Sequence, residues 1–194
     1  MTAGRHAFED AVAQAGAVPF DVARRVVDRV VLTGLLYGAR DAAHKKMVEL
    51  LDQGKPLPVD LRGHVLYYVG PTPAPPGRPI GAAGPTTSLR MDAYAPRMYE
   101  YGVKATVGKG NRNQAVIDSL VKNRAVYLIA IGGLGATLAQ RIKSAKVIAY
   151  PELGTEALWE FRVEDFPAIV ANDSRGRDVF KEGQEVWASK LAVA

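Results

Sequence analysis

What most constrains this chain is a repeated change of period, from apolar β-branched runs to helical patterns and back. VVLTGLLYGAR (Val30 to Arg40) reads as a buried strand in which Gly34 and Gly38 mark a bulge or a close backbone approach. The period changes at Arg40-Asp41. DAAHKKMVELLDQG then places Ala43, Met47, Leu50 and Leu51 at helical spacing, with Asp41 as N-cap and Gly54 at the C′ position. HVLYYV (His64 to Val69), VKATV (Val103 to Val107), RAVYLIAI (Arg124 to Ile131), AKVIAY and FPAIVAND (Phe166 to Asp173) are further strands. TTSLRMDAYAPRMYEYG predicts one helix interrupted near Pro96, and RNQAVIDSLVKN and ATLAQRIKSA predict two more. Strand and helix alternate, so the fold class is α/β with some parallel pairing.

The flanks differ from this middle. Phe8, Ala11, Val12 and Ala15 have helical spacing, and a second short helix is expected over Asp21 to Val27. Residues 1–29 therefore read as a helical extension suited to packing or partner contact, 30–181 as one domain, and 182–194 as a tail.

The chain has 194 residues and no cysteine. That excludes disulfides, thiol nucleophiles, Cys-ligated zinc and any iron–sulfur cluster held by its own thiolates. The net charge of +5 comes from scattered cations interleaved with acids, as in Arg24, Arg25, Asp28 and Arg29. Nucleic acid needs a contiguous basic face, so none is expected as a partner. An anionic substrate or an acidic partner suits the charge. Glu9 and Asp10 stand where a signal peptide needs an apolar run, and Ala125 to Ala139 is shorter than the roughly 20 apolar residues of a spanning helix. The expectation is a cytoplasmic protein with no membrane association.

Few motifs carry chemistry. Gly102 to Lys109 fails as a phosphate loop, because five residues separate its glycines and Gly110 follows the lysine. Gly133 and Gly135 follow a strand, but the third position of a dinucleotide fingerprint is Leu138, and tight strand-to-helix packing explains the glycines. Gly70 to Pro85 holds six prolines in 16 residues and reads as a long ordered functional loop. After it, Thr86, Thr87, Ser88 and Arg90 stand at an expected helix start, where free N–H groups suit an anion. Arg40 ends a strand, and Lys109 lies between two glycines. Two arginines and a lysine, if convergent, clamp a small dicarboxylate; otherwise they are solvated surface cations.

GAAGPTTSLRMD (Gly81 to Asp92) resembles the signature of the β subunit, or C-terminal domain, of class I fumarases and the related L(+)-tartrate dehydratases. LTGLLYGARDAAHKK, VGKGN, AVYLIAIGGLGA and YPELGTEALWEFRVEDFPAIVANDSRG follow the same family in order, over about residues 30 to 180. The resemblance implies a swivelling three-layer β/β/α domain with mixed sheets and flanking helices. It implies a hydro-lyase that adds water reversibly to a C4 dicarboxylate, fumarate to L-malate, or dehydrates L-tartrate. It further implies a 4Fe–4S cluster bound by a partner α subunit and not by this chain. By matching motif positions, Arg40, Arg90 and Lys109 would contact substrate carboxylates, and Thr86 would be the proton-abstracting residue. No metal ligand is assigned to this chain. A threonine hydroxyl is a poor base unless positive charge lowers its pKa, so Thr86 either takes the proton or positions a water or substrate oxygen. Asp41 orients Arg40 or caps a helix; His44 is expected at the surface or an interface, and Tyr94 and Tyr99 in packing. Closed two-fold assemblies are commonest, so αβ pairs would form a dimer of heterodimers. The other possibilities are a tartrate dehydratase β subunit and a non-catalytic anion-binding or assembly module.

Overall fold

The computed structural model describes residues 26–191. The two expected N-terminal helices lie outside these residues, except that Val26 and Val27 fall in a turn. The buried run after them forms β1 (Arg29–Gly38), and the helical pattern that begins at Asp41 forms α1 (Asp41–Asp52). The remaining strands are β2 (Val65–Tyr67), β3 (Ala105–Gly108), β4 (Val126–Ile129), β5 (Ile142–Ala149) and β6 (Leu158–Asn172). The helices after α1 are α2 (Ala95–Tyr101), α3 (Gln114–Asn123), the short α4 (Gly135–Ala139) and α5 (Val179–Leu191), which runs across residue 181.

One mixed sheet holds all six strands, in the order β1-β2-β3-β4-β6-β5. The first four pair in parallel, and β6 runs antiparallel to β4, β5 and β1. Because β6 pairs with both β1 and β4, the pairing closes into a circuit through β1, β2, β3, β4 and β6. Side-chain alternation then makes two cores. Val65, Tyr67, Val107, Leu128, Phe161 and Phe166 belong to one cluster. Leu66, Tyr68 and Tyr127, on the opposite face, pack with Met47, Met98 and Leu120 from α1, α2 and α3. The observed fold is thus mixed α/β, a sheet with flanking helices.

The glycine readings in β1 are explained by β6. The β1–β6 register shifts between Leu32 and Gly34, and the Phe161 ring lies where a Cβ on Gly38 would stand, at 2.4 Å. Three local expectations are corrected. TTSLRMD forms no regular α-helix: a four-residue 3-10 helix, Ser88–Met91, precedes α2. The helix expected over ATLAQRIKSA ends at Ala139, because Ile142 is buried and opens β5 opposite Val163. The last strand begins at Leu158, eight residues before Phe166, the start expected from the sequence.

Parallel pairing sends the C-terminal ends of β1, β2, β3 and β4 to the same edge of the sheet. Arg40 follows β1, Lys109 follows β3, and the Gly132-Gly133 turn follows β4. The proline-rich loop after β2 returns to this edge. Its ends are zipped by an antiparallel bridge between Val69 and Pro85 and by hydrogen bonds between Thr72 and residues 81–82. It is ordered at its base, as expected.

Candidate active site

The loop's return places Thr86 to Ser88 against the ends of β2 and β3. The Thr86 N–H donates to the Tyr68 carbonyl at 2.8 Å, and the Lys109 N–H donates to the Thr86 carbonyl at 3.2 Å. The Ser88 N–H donates to the Lys109 carbonyl at 3.0 Å, and Thr87 and Lys109 form a parallel bridge. These amides are therefore committed to backbone partners. The segment is pinned as an extended strip before its short 3-10 helix, so the Thr86 and Ser88 amides, two of those expected to be free for an anion, are spent on backbone. Thr86 is left half-buried, with its side chain outside that ladder.

Close approach requires Gly108. A Cβ there would fall 2.0 Å from the Ser88 Oγ and 2.9 Å from the Tyr68 ring. Lys109 beyond it is exposed, and its side chain runs past Gly132. Among the described residues it has no acidic partner within ion-pair distance.

Arg40 and Arg90, 50 positions apart in the chain, meet at one carboxylate. Asp41 Oδ2 accepts from Arg90 Nε at 2.9 Å and from its Nη2 at 2.6 Å. Asp41 Oδ1 lies 3.6 Å from Arg40 Nε, too far for a hydrogen bond. Both of those atoms are buried, and neither is hydrogen-bonded among the described residues. Arg40 Nη2 also lies 3.4 Å from Glu156 Oε1. The structure thus brings Arg40 and Arg90 together, and places the Lys109 and Thr86 backbones side by side on the strip that leads to Arg90. Asp41 orients both arginines, one more than expected.

Helix α1 starts without a side-chain cap of its own: Arg40 occupies the N-cap position, displacing Asp41 into the first turn. The substitute is Glu156, whose Oε2 accepts the Ala42 N–H at 3.2 Å. Glu156 closes the 3-10 turn Pro151–Glu156, which Lys46 also holds through Glu152. Sequence reasoning missed Glu156. Its signal was only its place inside the YPELGTEALWEF run.

His44 corrects another expectation. It is fully buried, because the inward face of α1 carries Ala43, His44 and Met47. Its Nδ1–H donates to the Arg40 carbonyl at 2.8 Å. Burial lowers its pKa to about 4, a lowering to which Arg112 adds and which the Arg40 carbonyl and Asp41 oppose. The imidazole is neutral at pH 7.

A second polar centre lies beneath the strip. The Arg112 side chain is fully buried and donates from Nε to Asp92 Oδ1 at 2.7 Å. Its guanidinium sits over the rings of Tyr127, at 4.8 Å, and Tyr68, at 5.3 Å. The Tyr127 hydroxyl meets the Ser88 Oγ at 2.8 Å and donates to the Gly110 carbonyl at 2.8 Å. The Asp92 Oδ2 accepts the Asn113 N–H at 2.8 Å. Tyr99 is buried as expected, and its hydroxyl meets the Thr106 Oγ1 at 2.5 Å. Arg112, Asp92 and Tyr127 carried no weight in the sequence, although all three lie in or beside its motifs.

Of the glycines after β4, Gly135 serves packing: a Cβ there would stand 3.0 Å from the Gly84 N, its carbonyl accepts the Ala83 N–H, and α4 has only five residues. No group of three or more His, Asp or Glu among the described residues could hold a metal ion. With no cysteine in the sequence, this chain's donor set does not fit an iron–sulfur cluster. No helix among the described residues is long and apolar enough to cross a membrane.

Comparison with known proteins gives a consistent result. The class I anaerobic fumarate hydratase of Escherichia coli K12 is 46% identical over 159 residues, which is 81% of this chain and 29% of that protein. Fumarate hydratase 2 of Leishmania major is 44% identical over 156 residues, or 79% of this chain and 28% of that protein. This chain therefore spans less than a third of these relatives' length. The L(+)-tartrate dehydratase subunit beta of Escherichia coli K12 is 33% identical over 171 residues, covering 86% of this chain and 84% of the subunit. The family model described as "Fumarase C-terminus" matches residues 21–183. With its motif residues gathered at one sheet edge and this match over most of its length, the chain belongs to the fumarase C-terminus family.

Proposed function

We propose that this chain is the β portion of a hydro-lyase acting on a C4 dicarboxylate, fumarate and L-malate in the first instance. The observation that carries the reading is the convergence of Arg40 and Arg90 on Asp41. With Lys109, three cations face two carboxylates, so the edge keeps a net positive charge for an anionic substrate. Dehydration of malate removes a proton from the carbon beside one carboxylate and hydroxide from its neighbour. The proton leaves as negative charge spreads onto that carboxylate, and cations held in place stabilise this charge. Arg40, whose side chain keeps about a fifth of its surface exposed at this edge, suits one substrate carboxylate; Arg90 and Lys109 suit the other. Thr86 presents a side chain whose backbone is fully tied, and the charge of Arg90 and Lys109 favours its deprotonated form.

A 4Fe–4S cluster belongs on a partner α portion, the chemistry of this chain's donors being unsuited to it; when bound there it supplies a Lewis acid. The two portions swivel against each other as a three-layer β/β/α domain meeting a cluster domain, and αβ pairs assemble as a dimer in the cytoplasm. The tartrate reading has its own support, since the tartrate dehydratase β subunit is a separate chain that this one covers nearly end to end.

The test is anaerobic co-expression with a cluster-bearing partner and a substrate panel of malate and both tartrates. The chain alone is expected to be inactive. In the complex, Arg40→Ala and Arg90→Ala each cost about 2–5 kcal/mol in kcat/KM. Wild-type activity in both would discard the clamp. Thr86→Ala abolishes solvent exchange at the substrate C–H if Thr86 is the base; wild-type exchange would leave it a positioning role only.

A further inference from the structure

Arg90 and Lys109 lie on different loops, and a clamp for two carboxylates needs the distance between them fixed. Exposed cations on separate loops do not fix it themselves: Arg90 is about half exposed, and Lys109 is exposed. The backbone strip joins the loops only from Thr86 to Lys109. What joins them further on lies underneath. The Tyr127 hydroxyl touches Ser88, the first residue of the 3-10 helix that carries Arg90, and the carbonyl of Gly110, next to Lys109. Asp92 just after that helix holds the Asn113 N–H and the Arg112 guanidinium. Ser88, Asp92, Arg112 and Tyr127 are all buried. Burial holds the Tyr127 hydroxyl well above the usual phenol range despite Ser88 and Arg112, so it keeps its proton for the Gly110 carbonyl.

We propose that Tyr127, clamped on the buried Arg112–Asp92 pair, is a positioning residue that sets the separation of Arg90 and Lys109 and so the affinity for the substrate's dicarboxylate. This rests on the cation-clamp reading above. Tyr127 stands on β4, an inner strand of the mixed sheet, paired with Thr106 on β3 and Asn172 on β6, so the base of its ring is anchored on both sides. Its hydroxyl bridges the two loops at their roots. The ring lies on a guanidinium that is itself fixed by a short bond to Asp92, which leaves the hydroxyl one orientation. Removing Arg112 would strand the Asp92 charge in the core and is expected to impair folding. Tyr127→Phe removes a single oxygen and keeps the ring on the guanidinium.

The experiment uses the complex with the cluster-bearing portion, with succinate as a non-reacting dicarboxylate. In Tyr127→Phe the inhibition constant of succinate and the KM for malate rise together, about tenfold, while kcat at saturation stays within about twofold. Ser88→Ala, cut from the other end of the same bridge, raises both constants in the same direction, and the double variant adds little beyond Tyr127→Phe. A merely structural role lowers the melting temperature or the active fraction and leaves both constants in place; that result would overturn the proposal. A fall in kcat at unchanged inhibition constant would overturn it too. Arg90→Ala, run alongside, separates this from the reading beneath it. If succinate binding is lost in Arg90→Ala but untouched in Tyr127→Phe, the clamp stands and the positioning role falls. If Arg90→Ala also binds normally, the clamp itself is wrong.

Discussion

Arg40 shows how much a side chain's use depends on the space its neighbours leave. A Cβ on Gly70 would stand 2.8 Å from the Arg40 Cδ and 3.0 Å from its Nη1. Glycine at 70 therefore lets the guanidinium lie flat along the strand end toward Asp41 and Glu156. Gly70→Ala is expected to push this flexible side chain aside rather than disturb the backbone. Substrate affinity in the complex falls several-fold while thermal stability changes by less than about 1 kcal/mol, as paired kinetics and melting curves would show. Sequence reasoning selected Arg40, Arg90, Lys109 and Thr86 from their motifs, and it read Asp41 as orienting Arg40 or capping a helix, of which the cap is not observed. It placed His44, one turn into the helix, at the surface or an interface. Nothing local says that the Arg40 carbonyl would take its Nδ1–H inside the core.

At the scale of elements, the start of α1 depends on a segment far along the chain. The helix has no cap from its own residues, and Glu156, 114 positions later, takes the Ala42 N–H and pairs with Arg40. Glu156→Ala is expected to cost about 1 kcal/mol of stability, the usual value of a lost N-cap, and to loosen Arg40 as well. Denaturant unfolding of this variant beside Glu156→Gln, which keeps an acceptor, measures the capping share. Strand β6 holds a related lesson. Its first half alternates correctly, Phe161 and Val163 inward and Arg162 outward, but Glu164 and Asp165 are both exposed before Phe166 returns to the core. Asp165 has φ +50° and its N–H donates to the Thr33 hydroxyl. The extra residue breaks a period-2 reading at the place where the strand bulges, which is why the alternation points only to Phe166 onward.

For the whole molecule, acid stability follows from the buried imidazole. The pKa of His44 falls from 6.5 to about 4 on folding. The folded state resists a proton that the unfolded chain accepts, so stability is intact above pH 6.5 and is lost as pH falls from there toward 4. The full loss is on the order of 3 kcal/mol. His64, half-buried and also lowered, acts in the same direction. The drop in melting temperature between pH 7 and pH 5 should therefore shrink, without vanishing, in His44→Asn. The carboxylates with lowered pKa, Asp60, Glu152 and Glu182, begin to lose their contribution only as pH falls below about 5, so they add little between pH 7 and pH 5.

The amino-acid sequence alone determined the fold class, the strand-to-helix switch at Arg40, the long loop after β2, the family and the cations of the proposed site. Each is written in a local pattern: a hydrophobic period, a turn residue, a contiguous motif. Only the tertiary structure decided that one aspartate joins two arginines, that Glu156 caps α1, and that Arg112 and Tyr127 lie beneath both cation-bearing loops. Those are contacts between segments tens of residues apart, and their strength comes from burial, which no stretch of sequence possesses until the chain has folded around it.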